Sequence, residues 1–252
     1  MSFKKLTQSG SNFLINNSRG FARTCDLGDY VPRVFDFAFG MTFGNAGEHR
    51  NHRTGGQAGR KNGELFINTF QGKLAEFGIH QYLRANDIIT AEPDLGMWAL
   101  GRWDDSDLVV NGIKINVKSA AHFSNLLLLE TGDWTGDGLY IPNNQTEQEA
   151  YSFFILSRIK PDGKKLMRDN RLMFSNTVEE QTLRNIITEQ RWEFDIAGFI
   201  NRDELRELIR LQYILPQNSL LNGKTSMDAE NYYCQSGDMH PIGDIIPLLN
   251  PL

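Results

Sequence analysis

Apolar residues recur at helical spacing from Leu65 to Leu83, with Phe66, Phe70, Leu74 and Phe77 on one side and Ile79, Tyr82 and Leu83 extending it. That period predicts an amphipathic helix carrying Glu76 between two core positions. Gly72 and Gly78 each weaken such a helix by about 1 kcal/mol relative to alanine, unless a neighbour must approach closely there. Further along, the period falls to two. Leu108–Val110 and Ile113–Val117 flank Asn111-Gly112, a pair that takes up positive φ readily and so predicts a tight hairpin. In its second strand Ile113, Ile115 and Val117 point one way, and Lys114, Asn116 and Lys118 the other. Leu126–Leu129 and Tyr151–Ile159 predict further strands, the latter so continuously apolar that both its faces are expected to be buried. Phe194–Phe199 offers another strand. A helix should follow, beginning near Asp203, with Leu205, Leu208, Ile209 and Gln212 at helical spacing and Pro216 as its stop. Tyr30–Phe43, interrupted by Pro32 and Gly40, reads as a partly helical entry segment. The expected fold class is α/β, a mixed central β-sheet flanked by helices.

Gly44–Gly63 breaks both periods, being mostly Gly, Asn, His and Arg. It predicts a basic, glycine-rich loop, read either as a DNA-contacting arm ordered on binding or as a solvated insertion. No repeat or long polar linker divides the rest, so residues 1–252 are expected to form a single domain, and sixteen Phe supply ample material for its core. The formal charge of −5 argues against a surface that coats a polyanion throughout. Its distribution is uneven, however: Arg50, Arg53, Arg60, Lys61 and Lys73 cluster against Glu64 alone. Cys25 and Cys234 stand at no metal-ligand spacing, which argues against a zinc knuckle and a disulfide scaffold and fits a reducing cytosol. No apolar stretch approaches the roughly 18 residues of a membrane span, and the N-terminus lacks the apolar run of a signal peptide. A cytoplasmic protein with no membrane partner is expected.

The hairpin gathers the residues with chemistry. Asp107 opens its first strand, and counting back from the turn places it across from Asn116. Lys118 lies on the same face, about 6.5 Å further along the strand at the usual rise. Phosphodiester hydrolysis needs oxygen ligands for a divalent cation, a means of activating water and a positive group beside the phosphate, and these residue types meet that need. Singly each has a bland reading. Asp104 and Asp105 adjoin Asp107 as turn formers, a glutamate on a helix is usually solvated, and a lysine on a half-exposed strand is ordinary. Their occurrence together raises them. His80 and His122 have no partners at metal spacing and read as packing or DNA contacts.

The stretch SDLVVNGIKINVKS resembles the PD-(D/E)xK nuclease superfamily, type II restriction endonucleases in particular. In that family an aspartate opening a strand is followed across a hairpin by an acidic residue, any residue, and lysine. The family's helical glutamate is resembled by Glu76 in GKLAEFGIHQYL. DIAGFINRDEL and LNGKTSMDAENYYCQSGDMHPIGDI resemble later segments, so the likeness runs from about Phe66 to Leu249. It implies a restriction-endonuclease-like fold and a hydrolase that cuts double-stranded DNA with Mg²⁺, leaving 5′-phosphate ends. It implies a homodimer, because cutting both strands of a palindromic site takes two centres.

The implied metal ligands are Asp107, position 116, the carbonyl of Val117, and Glu76 through water or a second cation. Lys118 is the implied lysine. Asn116 departs from the pattern, since an amide is neutral and offers one oxygen. Three explanations stand: a site active with an amide, an engineered Asp-to-Asn form that binds without cutting, or a naturally inactive site. Alternatives for the whole chain are a non-catalytic DNA-binding protein on a nuclease-like fold, or a repair nuclease of the same superfamily. Arg50, Arg53, Arg60, Lys61, Lys224 and Ser119 are the candidates for touching DNA.

Overall fold

A computed structural model of the chain describes residues 2–44, 59–96, 107–141 and 148–250. The N-terminal segment forms a small hairpin, β1 (Thr7–Ser9) and β2 (Asn12–Leu14), followed by β3 (Cys25–Asp26). Helix α1 (Val31–Thr42) carries Pro32 in its first turn, where proline's missing N–H has no helical partner to lose. Helix α2 (Asn62–Ala85) is longer than the apolar period that predicts it, and its first residues fall within the expected loop. The described part of that loop is otherwise Gly44 and the residues from Gly59 to Lys61; the remainder lies outside the described residues.

β4 (Leu108–Val110) and β5 (Ile113–Ala121) form the predicted hairpin, and β6 (Leu126–Glu130) follows. β7 (Phe153–Lys160) is buried along its length apart from Lys160, as a continuously apolar strand should be. Two helices without a counterpart in the sequence reading come next, α3 (Gly163–Asp169) and α4 (Glu180–Thr188). Both are short and side-chain capped: Asp162 accepts from the Lys165 N–H, and Glu179 from those of Gln181 and Thr182. α4 buries Leu183 and Ile187, one turn apart, which is too few apolar positions to establish a period.

β8 (Glu193–Asn201) leads directly into α5 (Arg202–Arg210). Asn201 is the N-cap of α5 and, with Glu204, closes a capping box. The predicted helix therefore begins one residue before Asp203. The chain ends in β9 (Ile214–Leu215), β10 (Leu220–Leu221), β11 (Thr225–Ser226), β12 (Asn231–Gln235) and α6 (Ile246–Leu249).

The architecture is a mixed α/β one in which a five-stranded sheet, ordered β3-β8-β7-β5-β4, is flanked by helices. β5 and β7 run parallel while the other pairs are antiparallel. β6 does not join this sheet; it pairs with β12 in a three-stranded one, β6-β12-β9, and β1, β2, β10 and β11 form a third.

Alternation along β7 divides the interior into two cores. Phe153, Ile155 and Ile159 pack with α1, α2 and α4 on one face; Phe154 and Leu156 pack with α5, β6 and β12 on the other. One charge interrupts this strand. Arg158 is fully buried and pairs with Asp195 of β8, Nη2 to Oδ2 at 2.6 Å. Its remaining donors reach the carbonyls of Arg19 and Gly20 and Oδ1 of Asn125, while Asp195 accepts the Ala22 N–H. The pair is thus fully hydrogen-bonded, as burial of charge demands, and it fastens the N-terminal segment to the sheet.

Candidate functional site

The hairpin turn sets the geometry. Asn111 and Gly112 take φ of 49° and 79°, the left-handed pair that matches strand twist in a two-residue loop. Leu108 then pairs with Ile115, Val109 with Lys114 and Val110 with Ile113. Continuing this register puts Asp107 opposite Asn116, on one face of the sheet. Ile115 and Val117 turn toward the α2 core, which leaves Asn116 and Lys118 on the other face beside Phe154 and Leu156 of β7.

Asp107 is fixed by the backbone of the opposite strand, its Oδ2 accepting the Val117 N–H at 2.7 Å. In a strand the N–H and C=O of one residue point to the same side. The Val117 carbonyl therefore faces the Asp107 side, beyond the last β4 pairing at Leu108. Burial pushes the Asp107 carboxyl above the usual carboxylate range, opposed by the Lys118 charge, the Val117 N–H and the Lys73 charge. Asp107 is partly exposed, and the charges of both lysines act on its carboxyl.

Asn116 is 5% exposed, and its Oδ1 is buried without a hydrogen-bond partner among the described residues. An orphaned oxygen of this kind costs about 1–3 kcal/mol unless something fills the position. Tyr151 lies near Asn116 and the Asp107 charge, and burial pushes its phenol well above the usual range. Glu76 is buried on α2, and its Oε2 pairs with Lys73 Nζ at 2.7 Å. Lys73 also lies over the Phe37 ring, 5.8 Å from its centroid. Glu76 thus connects to Asp107 through the intervening charge of Lys73.

The structure brings Asp107, Asn116, Val117 and Lys118 together, with the Lys73–Glu76 pair at their edge. Ser119 lies inside β5, where alternation puts it on the Val117 face, away from Lys118. Arg60 and the exposed Lys61 stand at the start of α2, and Lys61 is roughly 22 Å along the helix from Glu76 at 1.5 Å per residue. Lys224 is exposed in the turn between β10 and β11, on a different sheet. Arg50 and Arg53 lie outside the described residues. His80 is buried in α2, where desolvation lowers its pKa. Among the described residues neither ring nitrogen meets a partner within hydrogen-bonding geometry, although the Thr90 backbone is near enough to favour the charged form. His122 packs edge-on against Phe21 and Phe123, so packing describes it well.

Tyr151 and Lys73 are the site residues that sequence reasoning missed. Lys73 was legible in the Lys73–Glu76 spacing, one turn on a helix. Tyr151 precedes β7 and reaches the hairpin only through the parallel pairing of β5 with β7, for which local sequence carries no signal.

Among the described residues no group of three or more His, Cys, Asp or Glu is placed to hold a metal ion. The oxygens at hand are one carboxylate, one amide and one backbone carbonyl. Such hard donors suit Mg²⁺, which usually takes few protein ligands and keeps several waters. Among the described residues no helix is long and apolar enough to cross a membrane. No family model matches the chain, and neither a curated protein nor a solved structure matches it.

Proposed function

We propose that the chain is a Mg²⁺-dependent endonuclease of double-stranded DNA, of the type II restriction kind, acting in the cytoplasm as a homodimer. The observation that carries this reading is the hairpin itself. It sets a desolvated Asp107 opposite an unpartnered Asn116 oxygen, with the Lys118 charge acting on the acid. Asp107, Asn116 and the Val117 carbonyl would hold the cation, and the bound ion supplies charge neutralisation at the scissile phosphate. Lys118, as the ammonium whose charge acts on Asp107, orients the attacking water and stabilises the charge that develops on the phosphate oxygens, while the water's proton passes to solvent. The water oxygen bonds to phosphorus, the P–O3′ bond breaks, and the 3′ oxygen leaves with a proton, which yields a 5′-phosphate. Glu76 holds Lys73 and so shapes the field at Asp107.

A second reading, DNA binding without cleavage, draws on the neutral amide at Asn116. Conversion of supercoiled plasmid to nicked and linear forms, with Mg²⁺ or with EDTA, separates the two. The nuclease reading expects Mg²⁺-dependent cutting by the chain or by Asn116→Asp. Lys118→Ala should slow that cutting by about 10²-fold or more, as loss of a group that stabilises developing charge does. Equal cutting by Lys118→Ala would remove the lysine assignment. Tight, Mg²⁺-independent binding with no cutting even by Asn116→Asp would favour the second reading.

A further inference from the structure

Helix α3 ends on a residue that its backbone does not favour. The Leu172 N–H reaches the Met167 carbonyl at 2.8 Å and the Arg171 N–H that of Arg168 at 2.9 Å, the paired bonds that close a helix through one left-handed residue. That residue is Arg171, at φ 59°, where glycine stands at no steric cost and a side chain is strained. Arg168 already supplies the cation that the last turn of a helix favours. An arginine kept at such a position points to a use for its charge.

The turn after α3 is fastened to the start of α2. Ser175 accepts the Gly63 N–H at 2.9 Å, Asn62 bonds Asn176 through backbone and side chain, and Lys164 pairs with Glu64 at 3.8 Å. The residues α3 buries are Gly163 and Met167, which turns Lys164, Lys165 and Arg168 outward. They share one surface with Arg171, Arg60 and Lys61. Three acids stand among these six cations: Glu64, Asp162 beside Arg168, and Asp169 beside Lys165. Lys61 and Arg171 are exposed and meet no acid within ion-pair distance among the described residues. The surface is thus locally cationic on a chain of net charge −5.

We propose that this surface grips the phosphate backbone of duplex DNA outside the hairpin site, with Lys61 and Arg171 as its principal contacts. This rests on the nuclease reading and names where such an enzyme would hold its substrate. Helix α2 packs on β5 and so ties the surface to the hairpin. From Lys61 to Glu76 it spans roughly 22 Å, the length of about six base pairs.

Fluorescence anisotropy of a labelled duplex of about 30 base pairs, bound by the full chain in EDTA over a range of salt concentrations, tests this. The variants are Lys61→Gln, Arg171→Gly and, as a control, Arg210→Gln on α5, which packs on the opposite core. Lys61→Gln and Arg171→Gly should each weaken binding by about three- to tenfold at about 0.15 M salt and flatten the dependence of log K on log salt by about 0.9. Arg210→Gln should change neither. Arg171→Gly should also raise the urea midpoint, because glycine suits the left-handed position, so its loss of binding would not be a loss of folding. A lowered midpoint would assign Arg171 to the helix cap and overturn its role. Unchanged affinity and slope in both variants, or an equal change in Arg210→Gln, would overturn the surface and leave the nuclease reading standing. So would phosphatidylserine vesicles held by these cations while DNA binding ignores them, the outcome that Phe174, 73% exposed on the same turn, would suit. No DNA binding at all would overturn both.

Discussion

Asp107 is a costly residue for the folded chain. Burial raises its carboxyl pKa more than Lys118, the Val117 N–H and Lys73 lower it, so the folded state holds this proton to higher pH than the unfolded chain does. The unfolded state then binds fewer protons across that window, and stability falls as pH rises from the ordinary carboxylate range through the raised folded value. Asp107→Asn keeps an oxygen for the Val117 N–H and removes the charge. The metal-free variant should therefore melt at a higher temperature than the parent at neutral pH, with the difference vanishing below the ordinary carboxylate range. At 100-fold excess over its dissociation constant, Mg²⁺ should stabilise the parent by about 2.7 kcal/mol and the variant far less. Scanning calorimetry over pH, with and without Mg²⁺, checks both; a variant less stable than the parent at neutral pH would contradict this account of Asp107. At this scale Asp107, Asn116 and Lys118 were legible because Asn111-Gly112 fixes the register by counting. Tyr151 was hidden because its approach depends on a parallel pairing between strands distant in sequence.

The two glycines of α2 show how an element's neighbours reverse a local preference. Gly72 has nothing within 4 Å of where a Cβ would stand, whereas a Cβ on Gly78 would meet the Phe194 ring of β8 at 2.8 Å. Gly72→Ala should stabilise the chain by about 1 kcal/mol through helix propensity alone. Gly78→Ala should destabilise it by about 1–3 kcal/mol, because Phe194 is fully buried and any shift disturbs packed neighbours. Urea denaturation of the two variants reads the opposite signs, and a shared sign would contradict the packing of α2 on β8. The sequence expressed the common cost of both glycines, and only the packed structure shows which one meets a close neighbour. α2, the hairpin, β7 and β8 were legible because each has a sustained period or a strong turn. α3 and α4 were not, since short capped helices with few buried residues leave almost no period.

Over the whole molecule, an acidic chain has a sheet with a core on each face and the Asp107–Lys118 hairpin at the sheet's β4 edge. The α/β class was legible in the order of elements. The removal of β6 to a second sheet was not, because Leu126–Glu130 has the same apolar strand pattern wherever it pairs, and its partner β12 lies about a hundred residues further on. Cleavage by the nuclease reading belongs to the assembled protein, with two hairpins acting on opposite strands of one duplex. Digestion of unmethylated phage DNA with Mg²⁺ by the chain and by Asn116→Asp, followed by sequencing of the ends, tests this most directly. The account predicts 5′-phosphate ends recurring at one short sequence and lost with Asp107→Ala; DNA left intact by both proteins, or cutting that survives Asp107→Ala, would contradict it.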